Sequence, residues 1–171
     1  YFKEKFVANG GTIAAELDFN GGDKDFKGQL TAIKSANPDG VFVPGYYTDV
    51  ALICIQAKQL GLNVPMFGGD GWESSTLLEI GKEAVEGNYF STHYAADAAT
   101  DKVKNFVEAY KKRFGTTPDS NASLGYDSVL VLVDAIKRAG STDRAKIRDA
   151  LAATKNFAAV TGNITIDAQR N

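Results

Sequence analysis

Val64-Pro65-Met66-Phe67-Gly68-Gly69-Asp70-Gly71-Trp72 is a short apolar run that breaks into a glycine-rich turn. Residues 64–67 read as a strand, and a helical pattern begins near Glu73. The glycines therefore occupy a strand-to-helix turn. Glycine lets a backbone turn sharply and come close to a bound molecule. Three of them surround one carboxylate, Asp70, and one large aromatic, Trp72. A carboxylate held beside an aromatic wall suits a small cationic group. The plainer reading is an ordinary glycine turn with a solvated aspartate.

Outward from this loop the same grammar repeats. Upstream, Val41-Phe42-Val43 is short and wholly apolar, as a parallel strand covered on both faces requires. A helix follows over 47–60, with Val50, Ile53, Cys54, Ala57 and Leu60 on one side and Gly61 as its stop. Further upstream, a helix tail is expected over 2–8, a strand over 12–19, and a helix over 25–36 with Phe26, Leu30 and Ile33 on one face. Downstream, a helix is expected over 74–85 and a strand over 88–94.

Residues 101–114 form a well-marked amphipathic helix, with Val103, Phe106, Val107, Tyr110 and Phe114 as its stripe. Lys111-Lys112-Arg113 crowd its end, where cations suit the dipole, so the triplet is a helix terminus before it is a binding patch. Ser120 or Asn121 is expected to cap the next helix, which runs to about Ala139. Its Val129-Leu130-Val131-Leu132-Val133 segment is apolar nearly all round and is expected to be buried. A last helix over 144–154 and a strand or hairpin edge over 160–167 complete the chain. Alternating helices and strands predict an α/β fold, a mostly parallel sheet with helices on both faces. Two consecutive helices after Pro118 break the rhythm, which places a boundary there: residues 1–118 and 119–171.

Bulk composition narrows the function. The 171 residues are 44% hydrophobic and 23% charged, with 19 basic and 21 acidic side chains and a formal charge of −2. No basic stripe is present, which argues against nucleic acid as a partner. No apolar run approaches the ~20 residues of a membrane span. The chain opens at Tyr1 in helical rhythm and without Met, the reading expected of a fragment or a processed chain. Its single cysteine, Cys54, sits among Leu52, Ile53 and Ile55 and reads as a buried small hydrophobe. One histidine, His93, and one cysteine do not make a structural zinc site. There is no Gly-x-Ser-x-Gly elbow, and the Gly69-x-Gly71 pair has Ser74 where a dinucleotide loop needs its third glycine. No catalytic residue, metal ligand or cofactor is therefore expected.

In open α/β sheets, ligands bind beyond the carboxyl ends of strands. Two such ends are legible, Val43-Pro44-Gly45-Tyr46-Tyr47-Thr48-Asp49 and the opening loop. They belong to consecutive strands, so the right-handed crossover rule predicts that they are neighbours. Tyr46 and Asp70 would then share a crevice able to receive an ammonium group, with Tyr47 replacing Tyr46 if the turn is offset by one.

Gly22-Asp23-Lys24-Asp25-Phe26, Val43-Pro44-Gly45-Tyr46-Tyr47, Gly68-Gly69-Asp70-Gly71-Trp72 and Ala84-Val85-Glu86-Gly87 together resemble the branched-chain amino acid binding proteins of ABC importers. Leu124-Gly125-Tyr126-Asp127, the run from Ala135 to Asp143 and Val160-Thr161-Gly162-Asn163-Ile164-Thr165 extend the resemblance to the end of the chain. The resemblance implies one lobe of a type I periplasmic binding fold, in which two α/β lobes close over an amino acid. It implies that Tyr46 and Asp70 hold the ammonium, that Tyr126 faces the ligand just before the buried helix segment, and that Trp72 walls the side-chain pocket. Relatives can carry Glu where Asp70 stands.

By the same resemblance, the ligand is of the aliphatic, branched-chain type. The partner is an ABC permease in the membrane, and the location is extracytoplasmic, in the periplasm or on a cell-surface lipoprotein. A ligand-sensing domain of the same fold, within a receptor or regulator, is the alternative. The resemblance also implies that the helices after 118 belong to a lobe mostly absent from this chain. Losing ~4 kcal/mol of contacts with that lobe would weaken binding about a thousandfold.

Overall fold

The opening loop leaves the middle strand of a three-stranded parallel sheet, ordered β1-β2-β3 in a computed structural model that describes residues 1–170. Asn171, the last residue of the expected 119–171 segment, lies outside the described residues. Strand β1 is Val41–Phe42, β2 is Met66–Gly68 and β3 is Tyr89–Phe90. Val41 pairs with Met66, and Phe67 with Tyr89. The ladder continues past the regular strands, where Val43 N–H donates to Phe67 O at 2.8 Å and Ser91 N–H to Gly68 O at 3.1 Å. The sheet is thus parallel and ordered as the alternating pattern predicts.

Three helices connect and cover these strands: α2 (Lys27–Ser35), α3 (Tyr47–Gln59) and α4 (Ser75–Gly81). A 3₁₀ turn, Asp70–Trp72, precedes α4, and another, Lys82–Ala84, follows it. The core of this unit joins Phe26 and Leu30 to Val41, Val43, Val50, Ile53, Cys54, Met66, Trp72 and Leu77. Its buried polar groups are satisfied. The Gln56 carboxamide accepts from Phe26 N–H at 2.7 Å and donates to Lys24 O at 2.9 Å. The Asn88 carboxamide accepts from Met66 N–H at 2.9 Å and donates to Val85 O at 3.1 Å. Each of these side chains closes a loop that has no ladder of its own.

One expectation fails in this region. Residues 12–19 form no strand, although Thr12, Ile13 and Phe19 are β-formers. A strand is defined by its ladder, and no described strand pairs with this stretch. The chain divides into two compact units between Ser91 and Thr92. The reason is helix α5 (Asp101–Phe114), whose Val103, Phe106 and Val107 share a core with Tyr94, Ala122 and Val160 from beyond residue 118 or before residue 101. Helix α1 (Phe2–Ala8) belongs to the first unit and has no buried residue.

The second unit, from Thr92 onward, holds α5, α6 (Ser120–Ala139), α7 (Arg144–Ala152) and a hairpin of β4 (Phe157–Ala158) with β5 (Asn163–Ile164). Three caps mark the helix starts. Thr100, Asp119 and Asp143 side chains accept from Val103, Ala122 and Lys146 N–H. Gly115 and Gly140 end α5 and α6 in the left-handed region, at φ 76° and 57°. Arg138 on α6 donates to Ala150 O at 2.6 Å and to the buried Thr154 hydroxyl at 2.9 Å, which fastens the end of α7.

The expected burial of 129–133 is corrected here. Only Val131 is buried, while Val129, Leu132 and Val133 are exposed. The buried line of α6 is Ser120, Ser123, Asp127, Val131 and Ala135, one face at helical spacing. An apolar run longer than that face turns the remainder outward.

Candidate functional site

The C-terminal ends of β1 and β2 carry the two candidate loops side by side. After β1 the chain turns at Gly45, whose N–H donates to Val43 O at 3.0 Å, and Tyr46 becomes the N-cap of α3. After β2 the chain enters the 3₁₀ turn that starts at Asp70, with Trp72 N–H donating to Gly69 O at 3.1 Å. The Trp72 indole N–H reaches back across the sheet to Val43 O, also at 3.0 Å. One carbonyl oxygen thus accepts from both loops, and a carbonyl has the two lone pairs this requires.

The glycines of the loop serve space rather than left-handed backbone. None of Gly68, Gly69 and Gly71 has a positive φ. A β-carbon at Gly68 would lie 2.1 Å from the Trp72 ring. At Gly71 it would lie 2.9 Å from Gly45 O and 3.1 Å from Tyr46 Cδ1. Gly69 has open space around it. Gly68 therefore admits the indole, and Gly71 admits the neighbouring loop.

Each expected site residue has a definite place. Tyr46 is 72% exposed, with its ring edge against Gly71. Tyr47 packs against the core, so the offset reading fails and Tyr46 is the tyrosine at the loop. Asp70 is exposed, one residue from the Gly71 contact. Trp72 departs from expectation. At 1% exposure, with its indole N–H bonded to Val43 O, it fills the core and has no surface with which to wall a pocket. An indole in a 3₁₀ turn over a glycine finds more apolar area below the loop than above it.

Tyr126 lies on α6 in the second unit. It is 46% exposed, and its ring centre is 4.9 Å from that of Phe106. With Phe106, Tyr110, Phe114 and Leu130 it lines a cavity of about 590 Å³, rimmed by Lys102 and Arg113.

Two supporting carboxylates carry no expectation of their own. Asp49, buried in the first turn of α3, accepts from Gly22 N–H at 3.2 Å and sets a negative charge at the positive end of the helix. Asp127, 1% exposed, accepts from Val160 N–H at 2.9 Å and from both Thr161 N–H and its hydroxyl at 2.8 Å. The available signal is periodicity. Asp127 stands four residues from both Ser123 and Val131, and Asp49 four before Ile53, on the buried lines of their helices.

Cys54 is buried 3.8 Å from Met66 Sδ, and burial pushes its thiol up to about 11. It is a packed side chain with little thiolate at neutral pH. Among the described residues, no group of three or more His, Cys, Asp or Glu could hold a metal, and no helix is long and apolar enough to cross a membrane.

Relatives share this architecture. The chain is 31% identical over 165 residues to the leucine-, isoleucine-, valine-, threonine- and alanine-binding protein of Pseudomonas aeruginosa, covering 96% of this chain and 44% of the relative. The crystal structure of a leucine binding protein, LivK, from Thermotoga maritima superposes with a TM-score of 0.92 at 46% identity, over 98% of this chain and 48% of that one. The branched-chain amino acid transporter substrate binding protein LivJ from Streptococcus pneumoniae, in complex with isoleucine, gives 0.87 at 34% identity, over 99% of this chain and 49% of that one. The chain thus spans about half the length of the relatives it matches. A family model described as "Periplasmic binding protein" matches residues 1–171, and the chain belongs to that family.

Proposed function

We propose that this chain supplies the ammonium-holding half of an amino-acid site in the extracytoplasmic solute-binding component of an ABC importer. The ligand is an aliphatic amino acid of the branched-chain type, and the docking partner is a membrane permease. The location is the periplasm or a cell-surface lipoprotein. Asp70 supplies a charge-assisted hydrogen bond to the α-ammonium. The Tyr46 ring adds a cation–π contribution of about 0.5–2 kcal/mol. Tyr126 is a further ligand contact, on the strength of the family resemblance. Closure of two lobes around the ligand completes the site, and no covalent step is involved.

The observation that carries the reading is the Gly71 approach. It sets the loop bearing Asp70 against the Tyr46 ring at the carboxyl ends of adjacent parallel strands. That is where open α/β sheets bind ligands. An ammonium removed from water needs such a pair, because burial without a partner is strongly unfavourable. The names of the relatives, which bind leucine, isoleucine and valine, support the choice of ligand.

The test is an NMR titration of the protein with L-leucine, L-isoleucine and L-valine, a method that detects millimolar affinity. Shifts are expected at Tyr46, Asp70 and Gly71. They should be absent with 4-methylpentanoate, which lacks the amine, and in Asp70→Ala. Equal binding of the deaminated acid, or leucine binding that survives Asp70→Ala, would remove the ammonium site.

A further inference from the structure

We infer that Gly71 is a positioning residue, whose missing side chain holds the Tyr46 ring in place beside Asp70. The inference rests on the ammonium-site reading for its purpose, and on geometry alone for its mechanism. A ring that is 72% exposed has little core packing to fix it and would otherwise sample several rotamers. What it does touch is the backbone at Gly71. A β-carbon there would sit 3.1 Å from Tyr46 Cδ1 and 3.4 Å from Cε1, against an optimal carbon–carbon separation of ~3.5–4.0 Å. It would also lie 2.9 Å from Gly45 O, the carbonyl that immediately precedes Tyr46. A single methyl group therefore presses on both the ring and the backbone that carries it.

The loops cannot simply part to make room. Val43 O holds Gly45 N–H on one side and the Trp72 indole on the other, each at 3.0 Å. Trp72 in turn is locked under Gly68, where a β-carbon would be 2.1 Å from the indole. With both loops tied to one oxygen, the exposed ring can swing from the added methyl group, and relief of the 2.9 Å approach to Gly45 O shifts the backbone just before Tyr46. Gly71→Ala should therefore displace the Tyr46 ring from Asp70.

The same loop contains its own control. Gly69 also lacks a positive φ, at −100°, and a methyl group added there would meet nothing within 4 Å. Gly69→Ala makes the same chemical change two residues away without a clash.

The experiment compares Gly71→Ala with Gly69→Ala in protein carrying ¹³C-labelled tyrosine, with the Tyr46 ring resonances assigned through Tyr46→Phe. In ligand-free protein, Gly71→Ala should move the Tyr46 ring resonances and Gly69→Ala should leave them. L-leucine affinity should fall about tenfold in Gly71→Ala, ~1.4 kcal/mol, as for loss of the Tyr46 cation–π contact, and stay within about twofold in Gly69→Ala.

Unmoved Tyr46 resonances in Gly71→Ala, or equal affinity losses in both variants, would overturn the positioning role. If the ring moves as expected but the unmutated protein binds no amino acid, the positioning role stands and the ammonium site falls. Should Gly71→Ala fail to fold, nuclear Overhauser contacts between the Tyr46 ring and the Gly71 α-protons in the unmutated protein decide: their presence supports the contact, and their absence overturns it.

Discussion

In the first unit Asp70 stands exposed on a glycine loop at the end of β2. In the second, Asp127 is 1% exposed on α6 and takes three hydrogen bonds from Val160 and Thr161. The two carboxylates have near neighbours of the same kind, Tyr46 across from Gly71 and Tyr126 just before Asp127. Their surroundings differ in one respect that matters. Asp127 spends its acceptor capacity inside the protein, pinning the hairpin turn to α6. Asp70 is exposed on a turn whose adjoining positions, Gly69 and Gly71, carry no side chains. A buried acid with backbone donors is a fastening, whereas an exposed acid on a rigidly held loop is placed for recognition.

The comparison can be broken by substitution. Asp127→Ala should have the largest effect. It leaves the buried Val160 N–H and the half-buried Thr161 N–H without their acceptor, and should cost about 1–3 kcal/mol for each in urea unfolding, the range for an orphaned donor. A loss below ~1 kcal/mol, the size of an ordinary surface change, would mean that the turn is held by something else.

Trp72→Phe should come next. It keeps a ring in the core but removes the donor to Val43 O, for about 1–3 kcal/mol of stability. A neutral outcome in the same unfolding measurement would dissolve the tie between the two loops.

Cys54 supplies a smaller, pH-dependent effect in the first unit. Its thiol is raised by burial from 9.0 to about 11, so the unfolded chain ionises first. Stability linked to the protonated thiol is complete below about pH 9 and is lost as pH rises toward about 11. Cys54→Ala should abolish that part of the alkaline decline, measured as melting temperature against pH. An unchanged decline would assign it to other groups.

Asp70→Ala should be the mildest for the fold, within about 0.5 kcal/mol, as for an exposed side chain. A stability loss as large as that of Asp127→Ala would make Asp70 a fastening too and erase the contrast.

Local signals recovered much of the architecture. Helix α5 begins and ends where its stripe and basic triplet place it, and α6 is capped by Asp119, one residue before the expected Ser120. The parallel pairing of β1, β2 and β3 follows from their short apolar runs and intervening helices. The two loops at the strand ends are legible for the same reason, and Tyr46 does meet the Asp70 loop at Gly71. Residues 12–19 show the limit, since β-propensity describes fitness for a pleated surface and cannot supply the neighbouring strand. Val129, Leu132 and Val133 show another, because an all-apolar stretch does not say which of its faces is covered.

Residue order alone carried the α/β class, the parallel sheet, the helix limits and the positions of Tyr46 and Asp70, because these depend on spacing, caps and the short reach of turns. Contacts between residues far apart in the chain settled the rest. Trp72 turned into the core because Val43 O and the space over Gly68 were there to receive it. The second compact unit includes α5 because α5 found apolar partners after Pro118. Tyr46 rather than Tyr47 faced the loop because the start of α3 sends one ring outward and the next into the core. A side chain's neighbours are set by the packing of elements that local sequence does not encode.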